Sequence, residues 1–266
     1  MIEKAFSVHG HFYQPPREDP ISGEIPLEPG ASPYRNWNER IHSQCYKPNA
    51  ELGNFEHISF DLGPTLVEWM REYDRETLAS IIEQDQRNFQ HFGVGNAMAQ
   101  SYSHTILPLS TREEKITQIR WGIVDFEDTF SHKPAGIWLP ETAVDLETLE
   151  IAVDNGIEFT ILAPWQADTT ALDHSKPYKV NLGNNKYITV FFYDRPLSDD
   201  VSFHPDATAN ADVFVQTRLA PRFRQGKKQG SNPEIYVIAS DGEAYGHHQA
   251  FRDKFLSRLV NGAIEK

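Results

Sequence analysis

The sequence predicts an α/β fold whose parallel sheet curls far enough to close into a barrel, and two patterns carry that prediction. Short apolar runs rich in β-branched and aromatic residues recur at 5–8, 57–62, 94–99, 135–139, 158–163, 187–192 and 234–239. Helical patterns separate most of them, and this βα order is what a parallel sheet requires. Most runs are continuously apolar rather than alternating, as strands covered on both faces should be. About seven strands suffice to close a sheet on itself. Only one helix's length of chain follows the last run, so a barrel just closes within these 266 residues, as a single domain spanning 1–266.

Between the runs, three helices have readable ends. From Ser110 to Phe130, Ile116, Ile119, Ile123, Phe126 and Phe130 fall on one face, and Ser110 with Glu113 has the spacing of a capping box. Asp145 can cap a second helix that stops at Gly156, and Pro64 can open a third in its first turn. Two segments stand outside the repeat. Residues 12–56, dense in Pro, Gly and polar groups, are far too long for a simple connection and are expected to form an ordered loop over the strand tips. Residues 224–233 read as a flexible basic loop before the last strand.

Composition excludes several function classes. Hydrophobic residues at 39% with charged residues at 24% argue for a packed core and against disorder. A formal charge of −13 repels phosphate backbones and anionic headgroups, so neither nucleic acid nor a membrane surface is an expected partner. Cys45 is the only cysteine, which rules out an intramolecular disulfide and a thiolate zinc site built from this chain alone. The first residues lack the basic flank and apolar stretch of a signal peptide, and no run is long enough to span a bilayer. A cytoplasmic location is expected. Oligomeric state is left open by the sequence.

Chemistry-bearing residues gather where the strands should end. Glu141, in the segment Gly136-Ile-Trp-Leu-Pro-Glu141, follows the fourth run, and Asp241, in Ala239-Ser-Asp-Gly-Glu243, follows the last. Each fits a helix-capping or turn acid, or one member of a catalytic pair facing a shared pocket. His9 and His11 are two apart, so they point to one side of the first strand, and the intervening Gly10 would let a ligand approach the backbone. Such a pair can bind a divalent metal, hydrogen-bond a polar substrate, or serve structure alone. Gln14, Gln100 and His104 would lie near strand tips. Trp138 and Trp165 are candidate sugar platforms or core residues. Arg195 would orient a carboxylate or pair with Asp194, and Glu243 and His247 add polarity beside Asp241.

Taken together, His9-Gly-His11 with Gln14-Pro15, the segment 93–109, Trp138-Leu139-Pro140-Glu141 and Ser240-Asp241-Gly242-Glu243 resemble the first four sequence regions of glycoside hydrolase family 57, in order and across nearly the whole chain. Ser59-Phe60-Asp61-Leu62 and Leu197-Ser198-Asp199 are also in place. The resemblance implies an irregular (β/α)7 barrel and retaining hydrolysis or transfer at α-glucosidic bonds of glucans or oligosaccharides, without a cofactor. It implies Glu141 as nucleophile and Asp241 as acid/base, with His9, His11 and Trp138 contacting substrate. Three departures accompany it. A glutamate frequent in the second region aligns with Asn96. The fifth region, in a helical segment beyond the barrel, has no counterpart before Lys266. The stretch from Asp241 to His248 resembles a less characterised branch more than the amylases or branching enzymes.

For that chemistry Asp241 must carry a proton near neutrality, held by burial or by a like charge, with Glu243 the nearest neighbour. Two other readings remain open at this point. A glycan-binding barrel without catalysis would keep the pocket alone. A metal-dependent amidohydrolase-like enzyme would use the two histidines and the last-strand Asp, yet the fifth and sixth strand tips offer Ala163-Pro164-Trp165 and Phe192-Tyr193-Asp194 in place of further histidines.

Overall fold

The computed structural model describes residues 4–169, 171–224 and 233–262. Among the described residues eight strands form one sheet: β1 Lys4–Phe12, β2 Ser59–Leu62, β3 Ala97–Gln100, β4 Gly136–Trp138, β5 Phe159–Leu162, β6 Tyr178–Gly183, β7 Lys186–Phe192 and β8 Glu234–Asp241. Their order is β6-β7-β5-β4-β3-β2-β1-β8. Every neighbouring pair is parallel except β6 and β7. The curled sheet is joined across its gap where Tyr193 bridges Val237 in parallel and the Asp194 N–H donates to the Val237 carbonyl at 2.7 Å. Seven parallel strands therefore surround the interior, the irregular (β/α)7 arrangement, with β6 added outside it as a hairpin partner of β7.

β6 has no counterpart among the apolar runs because its residues alternate between half-buried and exposed. Such a pattern suits an edge strand, where one face meets water. The longer helices among the described residues pack around the sheet: α1 Pro64–Tyr73, α2 Arg75–Phe92, α3 Arg112–Phe130, α4 Leu146–Asp154, α5 Arg195–Phe203 and α6 Arg252–Asn261. Pro64 opens α1, and Asp145 caps α4 by accepting from the Thr148 N–H at 2.7 Å. The capping box of α3 is Thr111 with Glu114, one residue later than Ser110 with Glu113. That register leaves Lys115 buried, its ammonium 2.6 Å from Asp145 and 3.0 Å from Glu147, tying α3 to the start of α4.

Residues 12–56 are ordered, as the loop's length and composition predicted. They carry short helical turns at Trp37–Ile41 and Lys47–Glu51 and bury Cys45, Tyr46, Asn49 and Phe55. Asn49 donates to the Tyr245 carbonyl at 2.8 Å, which fastens the loop to the end of β8. The basic stretch at 225–232 lies outside the described residues. Apolar side chains form a large core between strands and helices and a small cluster inside the barrel around Met98, Trp138, Ile161 and Val237. Among the described residues no helix is long and apolar enough to cross a membrane.

Candidate active site

Strand alternation sends His9 and His11 into the barrel while Val8 and Phe12 join the outer core. In the β1–β2 register His11 faces Asp61, and that buried carboxylate clasps both imidazoles. Its Oδ1 lies 3.2 Å from His9 Nε2 and its Oδ2 2.8 Å from His11 Nδ1. The Gln100 amide nitrogen donates to Oδ2 at 3.0 Å, and the Ser59 hydroxyl meets His9 Nδ1 at 3.0 Å. Burial alone would raise the Asp61 carboxyl, but the His11 charge and the two imidazole hydrogen bonds hold it below the usual carboxylate range.

The two histidines differ in charge for the same reason. Burial pulls His11 down, yet Asp61, helped by Glu243 and Asp241, outweighs it and raises the imidazole to about 9. Burial wins at His9, which is lowered. His104 is lowered to about 4, by burial first and then by the His11 charge. A cationic His11 therefore spans two partners, donating from Nδ1 to Asp61 and from Nε2 to neutral His104 Nε2 at 2.9 Å. Trp138 stacks on His9 at 4.5 Å and on His11 at 5.6 Å between ring centroids.

At the tip of β4, Pro140–Thr142 forms a turn in which Glu141 (φ 56°, ψ 16°) and Thr142 (φ 52°) are both left-handed. Two such residues in succession, one of them β-branched, store backbone strain. The Thr142 N–H donates to the Leu139 carbonyl at 2.8 Å, and this bond closes the turn. The tip of β8 is built differently. Asp241 keeps extended backbone, and the buried turn Gly242–Tyr245 follows it. Within that turn Glu243 accepts from the Tyr46 hydroxyl at 2.5 Å and more distantly from Gln14 at 3.5 Å, while Gln14 donates to the same hydroxyl at 2.9 Å. Burial raises the Glu243 carboxyl to about 7, with the Tyr46 hydrogen bond opposing the rise.

Glu141 and Asp241 line one cavity of about 540 Å³ at the strand tips, together with His11, Trp138, Trp165 and Tyr193. Ser198, Asp199, Ser202 and Phe203 of α5 form one wall. Trp165 stands 59% exposed at the rim with the Arg195 guanidinium 5.2 Å from its ring centre. Hydroxyl, carboxyl and imidazole groups beside apolar ring faces suit a ligand that is both polyhydroxylated and flat on one side.

Not every predicted residue reaches this cavity. His9 is sealed beneath Trp138, and His104 stands behind His11, stacked on Tyr13 at 3.9 Å. Gln14 and Glu243 are buried under the β8 tip. His247 faces Gln44 at 2.7 Å, whereas its neighbour His248 lines the cavity. Arg195 pairs with Asp199 at 3.3 Å and not with Asp194, which caps α5 and pairs with Arg222 at 2.8 Å. Gly10 is a packing residue: a Cβ there would stand 2.7 Å from the Phe12 ring, so it does not open the backbone to a ligand. Asn96 lies before β3, at the opposite end of the barrel, and donates to the Glu56 carbonyl at 2.7 Å. Its identity bears on that end and not on the cavity. Asp61, Tyr46 and the α5 wall were not singled out for roles. Asp61 left a trace only within the segment Ser59–Leu62, and Ser198 and Asp199 only within Leu197–Asp199.

Among the described residues no group of three His, Cys, Asp or Glu side chains is arranged to hold a metal ion. Both ring nitrogens of His9 and of His11 already face protein partners.

Several solved structures share the fold. The 4-α-glucanotransferase of Thermococcus litoralis superposes with a TM-score of 0.72 at 17% identity, over 98% of this chain and 38% of its own. A family 57-type branching enzyme from Pyrococcus horikoshii gives 0.73 at 17% identity, over 97% of this chain and 67% of its own. An exo-type maltose-forming amylase from Pyrococcus sp. ST04 gives 0.75 at 16% identity, over 99% of this chain and 46% of its own. The chain thus spans well under half of the glucanotransferase's length. Among curated proteins none matches the sequence significantly. Residues 2–266 match the sequence model described as glycosyl hydrolase family 57. With that match running from the first strand through the last, the chain belongs to glycosyl hydrolase family 57.

Proposed function

We propose that the protein cleaves or transfers α-glucosidic bonds with retention of configuration, Glu141 attacking the anomeric carbon and Asp241 protonating the departing oxygen. The observation that carries this reading is the shared cavity: two carboxyl groups from the β4 and β8 tips open into one space whose other walls are aromatic and hydroxylic. Glucanotransferase, branching and amylase activities are named for structures of the same fold, which favours an α-glucan or a derived oligosaccharide as substrate.

In the first step the Glu141 carboxylate forms a bond to the anomeric carbon as the glycosidic bond breaks, and the Asp241 proton passes to the leaving oxygen. Water or a second sugar then gives its proton to Asp241 and displaces Glu141, restoring both groups. His11 supplies fixed positive charge at the cavity floor, where its attraction offsets the mutual repulsion of Asp241 and Glu243. Glu243 titrates near neutrality, so a proton can reside beside Asp241 without entering the solvent. Trp165 presents a ring face to the sugar and is steadied by Arg195, while Trp138, stacked on the two histidines, lines the cavity beneath it.

Glu141→Ala should lower turnover of a nitrophenyl α-glucoside by about 10³-fold or more. Azide, entering the space left by the side chain, should restore release of nitrophenol and yield a glycosyl azide of inverted configuration. Turnover by the unaltered chain with no azide product from the variant would assign the attack to another group. Sugar binding without turnover in the unaltered chain would make this a glycan-binding barrel.

A further inference from the structure

A second cavity adjoins the first. It holds about 350 Å³ and is lined by Asp200, Phe203, His204, Asp206 and Arg218 among others. Phe203 also lines the larger cavity, so its ring stands on the ridge between the two. That ring is 73% exposed at the last position of α5. Placed between two cavities, the ring offers an apolar face to a ligand that passes from one to the other. Ser198, Asp199, Ser202 and Phe203 make a hydroxylic wall that ends in an aromatic face, and it leads out of the larger cavity towards the smaller.

The smaller cavity has a polar frame. Asp200, only 13% exposed in its side chain, holds His204 Nδ1 at 3.4 Å and Arg218 Nε at 3.5 Å. Both partners are more than half exposed, so their remaining donors face outward from a fixed anchor. Two carboxyl groups beside a guanidinium disfavour an anion, whereas alternating donors and acceptors next to an apolar ring match the hydroxyls and flat CH face of a neutral sugar.

We propose that Phe203, Asp200, His204 and Arg218 form a distal subsite that takes further glucose units of a chain whose reacting bond lies between Glu141 and Asp241. The inference deepens the proposed function and rests on it. The protein would then favour long linear α-glucans over short oligosaccharides, because only a chain crossing the Phe203 ridge fills both cavities.

Calorimetric titration of the full chain carrying Glu141→Ala, which should bind the sugars without consuming them, with maltotriose and with maltoheptaose tests this. Maltoheptaose should bind about tenfold more tightly than maltotriose. Arg218→Ala and Phe203→Ala should each remove most of that advantage, Arg218→Ala with no change in maltotriose affinity. Both side chains are largely exposed, so the variants should keep the melting temperature of the parent. Equal affinity for the two sugars, or variants that retain the preference for the longer one, would overturn the distal subsite and leave the α-glucan reading standing. Binding of neither sugar would remove both.

Discussion

The two strand tips that carry carboxyl groups into the cavity are held by opposite means. At β4 the backbone does the holding: Glu141 sits at φ 56°, followed by a second left-handed residue, and the constraint lies within Pro140–Thr142. At β8 Asp241 has an ordinary φ of −56°, and rigidity comes from the buried turn after it. That turn is secured by Tyr46, 197 residues away in sequence, and by Gln14, 229 residues away. The nucleophile candidate is thus fixed by local strain, and the acid/base candidate by a tertiary hydrogen-bond network. A left-handed turn sets the direction in which its side chain leaves the backbone, while a buried network can also tune protonation.

Three substitutions test that contrast. The largest effect should come from Glu243→Gln, which removes the titrating group yet leaves an acceptor for Tyr46. Because the folded state raises this carboxyl from 4.5 to about 7, its contribution to stability is fully present below about pH 4.5 and is lost as pH rises through about 7. The variant should lack that loss, gaining up to ~3 kcal/mol on the parent by pH 8.5, while the two stay close at pH 4.5. Urea titrations at the two pH values read the difference, and a parallel pH dependence in both proteins would remove Glu243 as its source.

Gly242→Ala should come next. A Cβ there would lie 2.3 Å from two atoms of the Phe12 ring, so the β8 tip must shift, at a cost of about 1–3 kcal/mol and with a fall in activity. Thr142→Gly should be the mildest, below ~1 kcal/mol, since relief of the left-handed strain offsets the added chain entropy and the lost packing of a buried side chain. Chemical denaturation ranks the pair. A Thr142→Gly cost above that of Gly242→Ala would mean that the β4 tip also depends on tertiary packing.

What could be read from the sequence follows the same division. Apolar runs located the seven parallel strands, and the acids immediately after the fourth and the last were visible because a strand tip is a local property. The α3 cap was misplaced by one residue because Ser110-Thr-Arg-Glu-Glu114 contains two overlapping capping-box spacings, and only the packing of Lys115 against Asp145 separates them. β6 was missed because its alternating, half-exposed pattern lacks the apolar run that marked the other strands. Asp61 as clasp of both histidines, Tyr46 as partner of Glu243 and Phe203 as a ridge between cavities all depend on closure of the sheet. Asn96 was aligned to a site region although β3 runs from it towards the tips, so it occupies the far end.

Closure also orders events in time. β8 pairs along the length of β1, from Lys4 with Glu234 to His11 with Asp241, so β1 waits for β8. At synthesis rates of roughly 5–20 residues per second, β1 spends on the order of ten seconds or longer with one edge unpaired. Contacts between such remote segments form slowly, because a long loop must close before any of them is gained. Asp241 arrives on the strand that closes the barrel, so a nascent chain presents Glu141 and the histidines well before it can present both carboxyl groups. Until β8 docks, the cavity lacks one of its two carboxyl groups.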